Sequence, residues 1–341
     1  MDKVSIVGLD IAKNSFHAHG AGVDGSAVFS RALPRSRVLS FLDKLAPCLV
    51  ALEACAGAHY WGREIEKLGH DVRLIAPQYV KPYVKRQKND ATDAAAIAEA
   101  ASRPTMRFVA VKSTDQQGQA MVLKTRDLLT GQRTQTINAL RGHLTEFGII
   151  APKGPVHLRK LEAALDDPGN GLPEVVVALC RRFFDHILAL SEQIDVLTRQ
   201  VKALVRKDET MRRLTTIPGI GPICAIALAT LAPPGPTFTK GRDFSAWAGL
   251  TPKQHSTGGK VRLGRTSKMG QRDIRRLLII GAMSVIQAAE RRGGAPDGSW
   301  LAKMLARKPK MLVAVALANK MARTAWAMMT TGEVYRVPPI A

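Results

Sequence analysis

Four acidic residues in the first hundred positions stand where a metal site for phosphate chemistry would need them. Asp10 ends the apolar run VSIVGLD and Glu53 ends CLVALE, whereas Asp90 and Asp93 lie three residues apart in NDATDAAAIAEA. Carboxylate oxygens suit Mg²⁺ or Mn²⁺, and such ions can bind the attacking and leaving oxygens of a phosphodiester. We therefore predict a divalent metal site formed by these four side chains.

The alternative is that each carboxylate is an ordinary solvated side chain, which is the usual state of Asp and Glu. The positions argue against it. Asp10 and Glu53 each end an apolar run typical of a buried strand, where a random charge is unfavourable. Asp90 and Asp93 are i and i+3 on a predicted helix, so both project from one face.

The charge balance indicates a polyanionic partner. The 341-residue chain has 50 Lys and Arg against 28 Asp and Glu, a net charge of +22 and a pI near 10.3. Residues 1 to 105 carry only +3 of this, and residues 106 to 341 carry +19. A basic surface of this size is typical of nucleic-acid binding, although a solvated basic surface is the alternative.

Other compositional signals exclude several classes of protein. The four cysteines have no spacing that indicates a zinc site or a disulfide framework. The N-terminus lacks the layout of a signal peptide. The late apolar stretches are too short for a membrane span or carry Lys320 and Arg323. We expect a reduced cytoplasmic protein that does not enter the membrane.

Residues 1 to 110 predict an α/β domain. VSIVGLD, SFHAHGAG and AVFSRAL read as a three-stranded antiparallel meander, and helices then alternate with the strands CLVALEA and DVRLIAP. The helix that carries Asp90 and Asp93 follows the basic segment YVKPYVKRQK. This order is that of the ribonuclease-H-like fold.

Residues 111 to 207 predict a helical, coiled-coil dimerisation segment. A long polar helix is expected over 113–147, and 151–173 is rich in Pro and Gly and predicts a linker or exposed loop. Apolar residues then recur at alternating steps of four and three from Val176 to Leu204. This heptad seam predicts packing either on the preceding helix or on a second copy of the chain.

Residues 208 to 341 predict a mainly helical domain that binds nucleic acid. LTTIPGIGPICAIALATL matches a helix-hairpin-helix, in which glycines let backbone amides approach a phosphate. A plain helical hairpin is the alternative. Between Lys253 and Arg276 there are eight Lys or Arg and one acid, Asp273. The predicted nucleic-acid contacts are Lys85, Arg86, Lys88, Gly219, Gly221, Lys260, Arg262, Arg265, Lys268 and Arg272.

A serine within the basic segment is the predicted nucleophile. Ser256 lies in HSTGGK, on a flexible Gly-rich loop between His255 and Lys260. A serine beside phosphate-binding cations is placed to attack phosphorus. Taken alone, such a residue is an ordinary loop serine, and Ser267 in RTSKMG is a second, less favoured choice.

Together these blocks resemble the DEDD-type transposases of the insertion-sequence one-ten family, which includes Piv-like DNA invertases. The resemblance rests on VGLDIAK, ALEACAGAHYW, KNDATDAAAIA, LTTIPGIGPICA, FSAWAGLTPKQHSTGGK and SKMGQRDIRRLL, which span nearly the whole chain. It implies a RuvC-like catalytic domain, a coiled-coil segment and a C-terminal transposase domain. It also implies that Asp10, Glu53, Asp90 and Asp93 form the acidic tetrad, and that Ser256 is the nucleophile.

The resemblance further implies partners. Members of the family assemble as dimers and tetramers in which the tetrad of one subunit acts with the serine of another. Some are guided by a structured bridge RNA that pairs with donor and target DNA. We thus expect a homodimer or homotetramer that binds donor DNA, target DNA and a guide RNA in the nucleoid of a prokaryote.

Two other functions are compatible with the residues. A metal-dependent nuclease or junction resolvase would use water in place of Ser256. A nucleic-acid-binding protein without activity would need a defective acidic site, and the intact set of four acids argues against it.

Overall fold

The computed structural model describes residues 4–85 and 89–336, so Arg86 and Lys88 lie outside the described residues. The chain divides into two compact units, 1–116 and 117–341. The first is a mixed α/β unit and the second is largely helical, which confirms the predicted change of class along the chain.

The first unit contains the whole main sheet. Its elements in order are β1 (Ile6–Asp10), β2 (Ser15–Ala21), β3 (Ala27–Pro34), α1 (Val38–Leu42), β4 (Leu49–Glu53), α2 (Ala58–Glu66), β5 (Asp71–Ile75), α3 (Pro77–Val80), α4 (Asp90–Ala101) and β6 (Phe108–Val109). The strand order is β3-β2-β1-β4-β5-β6. β1, β2 and β3 pair antiparallel, as the meander predicts, and β1, β4 and β5 pair parallel.

The two faces of this sheet carry separate cores. Alternate residues such as Val7 and Leu9 pack on one face with α2, whereas Ile6 and Ala51 belong to a core that includes Ile97 of α4. Because side chains alternate along a strand, Gly8 and Asp10 share the face of Ile6. That face is the one covered by α4.

α4 lies very close to β1 because Gly8 has no side chain. A Cβ built at Gly8 would stand 2.1 Å from Ala94 O and 2.6 Å from Ala98 N, both backbone atoms of α4. The helix is rich in alanine and buries Ala94, Ala98 and Ala100, so small residues on both elements allow the approach. The contact fixes the position of the helix that carries Asp90 and Asp93.

The second unit contains the remaining helices and a small hairpin. Its elements are α5 (Thr114–Thr145), which begins just before the division, α6 (Leu158–Asp166), α7 (Glu174–Lys207), α8 (Glu209–Leu214), α9 (Pro222–Leu231), α10 (Gly241–Trp247), β7 (Pro252–Gln254), β8 (Leu263–Thr266), α11 (Arg272–Arg291), α12 (Trp300–Leu305) and α13 (Lys310–Thr331). The largest core of this unit joins α8, α9, α10, α11 and α13.

The heptad seam of α7 packs within the chain. Cys180 and Ile187 of α7 share a core with Leu140 and Leu144 of α5. Arg126 Nε donates to Thr198 Oγ1 at 2.8 Å, which places the two helices side by side further along. The structure therefore favours the first of the two predicted partners, the preceding helix, and dimerisation through this segment stays a prediction.

The segment 151–173 is not simply a linker. It holds a 3₁₀ turn at Pro155–His157 and the helix α6, whose Leu161 and Leu165 are buried between α5 and α7. The prediction of an exposed loop was wrong because Pro and Gly at the ends of the segment obscured the apolar spacing of 158, 161 and 165.

Candidate active site

All four predicted acids line one cavity in the first unit. Asp10, Glu53, Asp90 and Asp93 border a space of about 680 Å³, together with Pro77, Gln78, Val80, Lys81 and Val84. They come from the ends of β1 and β4 and from the first turn of α4. The four acids that the sequence predicted as one site therefore border the same cavity in the structure.

The sheet register places Asp10 beside Glu53. β1 and β4 are parallel neighbours, with Leu9 paired to Leu52, so the next residue of each strand lies at the same edge. Both side chains follow the period-two alternation onto the face covered by α4. Apolar residues before them bury the two strands, and the acids mark where the strands emerge from the core.

The local sequence of α4 places the other two acids. The Asn89 side chain caps the helix by accepting from Thr92 N at 2.8 Å and from Thr92 Oγ1 at 2.9 Å. Asp90 and Asp93 then occupy the first turn, where the positive end of the helix dipole stabilises carboxylates. Asp90 is exposed and Asp93 is half-buried.

Electrostatic repulsion is concentrated at Asp10. Burial raises the pKa of its carboxyl, and the nearby charges of Asp93 and Asp90 raise that pKa further. The Ile11 amide and His17 act in the opposite direction. A carboxylate that is both half-buried and surrounded by like charges gains from any cation that enters the cavity.

The donor set fits a hard divalent cation. Four carboxylates from three elements surround one space, and carboxylate oxygens are the preferred ligands of Mg²⁺ and Mn²⁺. Within residues 4–85 and 89–336, however, no three acidic, His or Cys side chains are already arranged as a metal cage.

Ser256 lies in a hairpin between β7 and β8. His255 N donates to Arg262 O at 2.8 Å and Lys260 N donates to Thr257 O at 3.0 Å, which extends the pairing of β7 and β8 up to the turn. Gly258 and Gly259 have φ of 54° and 75°, the positive values that a type I′ turn requires. The two glycines thus form the turn of the Gly-rich segment that carries Ser256.

The hydroxyl of Ser256 is held by the backbone. Arg262 N donates to Ser256 Oγ at 3.0 Å, while the residue itself is exposed. The alternative, Ser267, is half-buried beyond the end of β8, where its amide donates to Thr251 O at 2.8 Å. Of the two serines, Ser256 is the more exposed residue.

The described basic residues predicted to contact nucleic acid are exposed. They are Lys85 in the first unit and Lys260, Arg262, Arg265, Lys268 and Arg272 in the second. The two glycines differ: Gly221 is exposed at the N-cap of α9, whereas a Cβ at Gly219 would meet the backbone of Gly281 at 2.7 Å. Gly219 therefore has a packing role against α11, and Gly221 is the residue open to a phosphate.

Comparison with known proteins then decides the family. Residues 7–149 match the DEDD transposase family of IS110, and residues 211–295 match the transposase IS116/IS110/IS902 family. The chain is 42% identical to the transposase for insertion sequence element IS1328 of Yersinia enterocolitica, over 98% of this chain and 99% of that protein. This chain belongs to the IS110 family of transposases.

More distant relatives extend the same similarity. The transposase for IS1111A of Coxiella burnetii is 36% identical over 98% of this chain and 92% of its own length. The insertion element IS110 protein of Streptomyces coelicolor is 26% identical over 83% and 84% of the two chains. The matched regions of this IS110-family transposase include the four acids in one and both serines in the other.

Family membership sets the reaction class. A transposase acts on DNA by phosphoryl transfer, and DEDD transposases use a divalent metal. None of the helices in the described part of the chain is long and apolar enough to cross a membrane.

Sequence reasoning missed two histidines of β2 on the sheet face that carries Asp10, in this transposase. His17 is paired with Asp10 across β1 and β2, and its Nε2 lies within hydrogen-bond distance of Ser30 Oγ, at 2.8 Å. His19 follows on the same face, and burial, then His17 and Lys85, lower its pKa. The signal was present in SFHAHGAG, where the two polar residues alternate with buried Phe16 and Ala18.

Proposed function

We propose that this IS110-family transposase cuts and rejoins DNA through Ser256, with a metal ion held by the acidic tetrad. The observation that carries the proposal is the convergence of Asp10, Glu53, Asp90 and Asp93 on one cavity. A site of this composition suits a phosphodiester substrate and a divalent cation.

The four carboxylates would hold Mg²⁺ or Mn²⁺. When bound, the metal would polarise the scissile phosphate and stabilise the charge that develops on its oxygens. Asp10 would be stabilised by the cation, because burial and the neighbouring charges of Asp93 and Asp90 raise the pKa of its carboxyl. Asn89 and the backbone contact at Gly8 keep Asp90 and Asp93 in place for this role.

Ser256 would provide the nucleophile. Its Oγ forms a bond to phosphorus and loses its proton, while the bond from phosphorus to one deoxyribose oxygen breaks and that oxygen leaves as a hydroxyl. A strand hydroxyl later displaces Ser256 and restores a phosphodiester, so the bond energy is conserved. The hydrogen bond from Arg262 N stabilises negative charge on Oγ and fixes its direction.

The basic residues of the second unit would hold the DNA. Lys260, Arg262 and Arg265 lie on the hairpin around Ser256, and Lys268 and Arg272 follow it, so all can meet phosphates near the cleaved bond. The turn between α8 and α9 supports a helix-hairpin-helix, in which Gly221 and the N-terminus of α9 would contact a further phosphate.

Topology supports the finer fold assignments. An antiparallel β1-β2-β3 meander followed by parallel β4 and β5 is the order of a ribonuclease-H-like domain, which fits the RuvC-like assignment. The long helices α5 and α7 supply a helical segment for the proposed dimer or tetramer. A mixture of subunits with Asp10→Asn and subunits with Ser256→Ala tests the oligomer, because restored activity requires groups from different subunits.

Guidance by a bridge RNA rests on the family resemblance and on the excess positive charge. The experiment is to sequence RNA that copurifies with the protein from cells that carry its element. We expect enrichment of a transcript from that element. If the copurified RNA has the composition of total cellular RNA, the RNA part of the proposal is wrong.

The serine mechanism is tested by trapping the covalent intermediate. Wild-type protein, Ser256→Ala and the matched control Ser267→Ala are incubated with labelled element-end DNA, guide RNA and Mg²⁺, then run on a denaturing gel. We expect a protein–DNA adduct with the wild type and with Ser267→Ala but none with Ser256→Ala. Normal cleavage by Ser256→Ala would instead favour a nuclease that uses water.

A further inference from the structure

A second cavity lies in the C-terminal unit at the base of the β7–β8 hairpin. It has a volume of about 850 Å³ and is bounded by Pro252 and Thr266, the outer ends of the two strands, by α12 and by one face of α13. Cavities that hold a small planar group fall in this size range. None of the residues discussed above for catalysis lines it.

Trp300 gives this cavity an aromatic surface. It is the first residue of α12, and the residue is 36% exposed. The Nζ atom of Lys320 lies 5.1 Å from the centroid of the indole ring, a cation–π contact that orients both groups. An aromatic ring that borders a cavity offers a face on which a planar base can stack.

The charges around the ring are all positive. Lys320 and Arg323 are exposed on α13, and the residues that line the cavity include no Asp or Glu. Neither cation forms an ion pair with any acid in the described part of the chain. The cavity therefore combines a stacking surface with two cations that lack an anionic partner in this region.

Asn319 adds a fixed polar group between the cations and the hairpin. Its Nδ2 donates to Ser245 Oγ and to Leu250 O, both at 3.3 Å, so the amide is oriented by its neighbours. The amide oxygen is then an acceptor at a defined position, suited to an N–H on the edge of a base. Ring, cations and amide together match one nucleotide.

We propose that this cavity binds one unpaired base of a DNA strand, stacked on Trp300, with Lys320 and Arg323 on the neighbouring phosphates. A paired base has no free face in a duplex, so the cavity selects single-stranded DNA. DNA is favoured over RNA because the family acts on DNA and the cavity adjoins the base of the hairpin. The assignment of this base to the cleaved strand rests on the proposed role of Ser256.

The test is oligonucleotide binding by the full-length protein. A single-stranded DNA 20-mer with one 2-aminopurine is titrated, followed by the same sequence as a duplex and as RNA. We expect Trp300→Ala to weaken single-strand binding by about 5- to 150-fold, the range for loss of one stacked base, and duplex binding to change less than about twofold. Trp300→Phe, which keeps a stacking ring, should retain most of the affinity.

The charge contribution has its own matched control. Lys320→Gln with Arg323→Gln should weaken single-strand binding and flatten its salt dependence by about two phosphate contacts. Arg159→Gln with Lys160→Gln removes the same charge from exposed positions of α6 and should have no selective effect on single strands.

Several results would overturn the proposal. The first is that Trp300→Ala binds single-stranded DNA as tightly as the wild type. The second is that Trp300→Ala and Trp300→Phe each lose as much affinity for the duplex as for the single strand. The third is that Trp300→Ala loses affinity for RNA alone. The same titration in Ser256→Ala protein separates the two hypotheses. Normal Trp300-dependent binding there, with normal cleavage, would refute the serine mechanism and leave the nucleotide cavity standing.

Discussion

Gly8→Ala is expected to disable the acidic site through one methyl group placed between β1 and α4. The added Cβ would lie 2.1 Å from Ala94 O, and ordinary contact begins at 3.4 Å, so the gap must widen by about 1.3 Å. The obstacle is the helix backbone, so no rotamer change relieves it. α4 must withdraw from the strand that carries Asp10.

Two magnitudes follow from that displacement. Overpacking of a tight helix–strand contact costs about 1–3 kcal/mol of unfolding free energy. A shift of about 1 Å in catalytic groups costs roughly 10²-fold in rate, and here Asp90 and Asp93 move together relative to Asp10 and Glu53. Cleavage should therefore fall by roughly 10²-fold while a unit of ordinary stability stays folded, and Mn²⁺ binding should weaken in parallel.

The assay compares three proteins. Strand cleavage, Mn²⁺ affinity by calorimetry and thermal unfolding are measured for wild type, Gly8→Ala and the control Gly131→Ala. Gly131 is exposed on α5 with open space around its Cα, so alanine there should stabilise the helix by up to about 1 kcal/mol and leave cleavage unchanged. Ala98→Gly should not rescue Gly8→Ala, because it removes only the third and weakest contact, at 3.0 Å. Wild-type cleavage and metal affinity in Gly8→Ala would refute the account of how α4 is positioned.

Three further predictions concern charge and the hairpin. Asp10→Asn should abolish cleavage in Mg²⁺ buffer, yet in metal-free buffer it should raise the melting temperature at pH 7, with a gain that shrinks towards pH 4. Because the folded pKa of Asp10 is raised, the stabilising contribution of this carboxyl exists at low pH and is lost as the carboxyl ionises. An equal gain in melting temperature at both pH values would contradict this. Gly258→Val should destabilise the turn by about 1–2 kcal/mol and reduce adduct formation, whereas Gly258→Asn, which tolerates positive φ, should behave like wild type in the same gel assay. The Lys124–Asp273 ion pair between α5 and α11 is partly exposed, so a double-mutant cycle in chemical denaturation should give a coupling below about 1 kcal/mol, and a coupling of several kcal/mol would mean that the pair is desolvated.

Much of the first unit could be predicted from local patterns. The alternation in VSIVGLD and SFHAHGAG encodes strands, and a charge such as Asp10 or Glu53 at the end of an apolar run marks the edge of a sheet. The close approach at Gly8 could not be predicted, because it depends on which helix crosses β1. The two histidines were missed because the proximity of His17 to Asp10 depends on the register between β2 and β1.

The second unit was harder to predict from the sequence, because its contacts join elements that are distant along the chain. The α7 seam specified an apolar partner and not which one, since any complementary helix can bury it. Gly258 and Gly259 read equally as flexibility or as a tight turn until the flanking residues are seen to pair. The cavity at Trp300 is formed by elements from Gly241 to Ala327, with no continuous motif.

Because Arg262 donates through its backbone N to Ser256 Oγ, the placement of the hydroxyl is separate from the choice of the basic side chains proposed to bind DNA. The position of the hydroxyl depends on main-chain pairing and on two glycines, and not on the identity of the side chains around it. Lys260, Arg262 and Arg265 can therefore be exchanged for other residues while the serine stays in place. Substitutions on this hairpin can therefore alter DNA affinity and its salt dependence without displacing the proposed nucleophile.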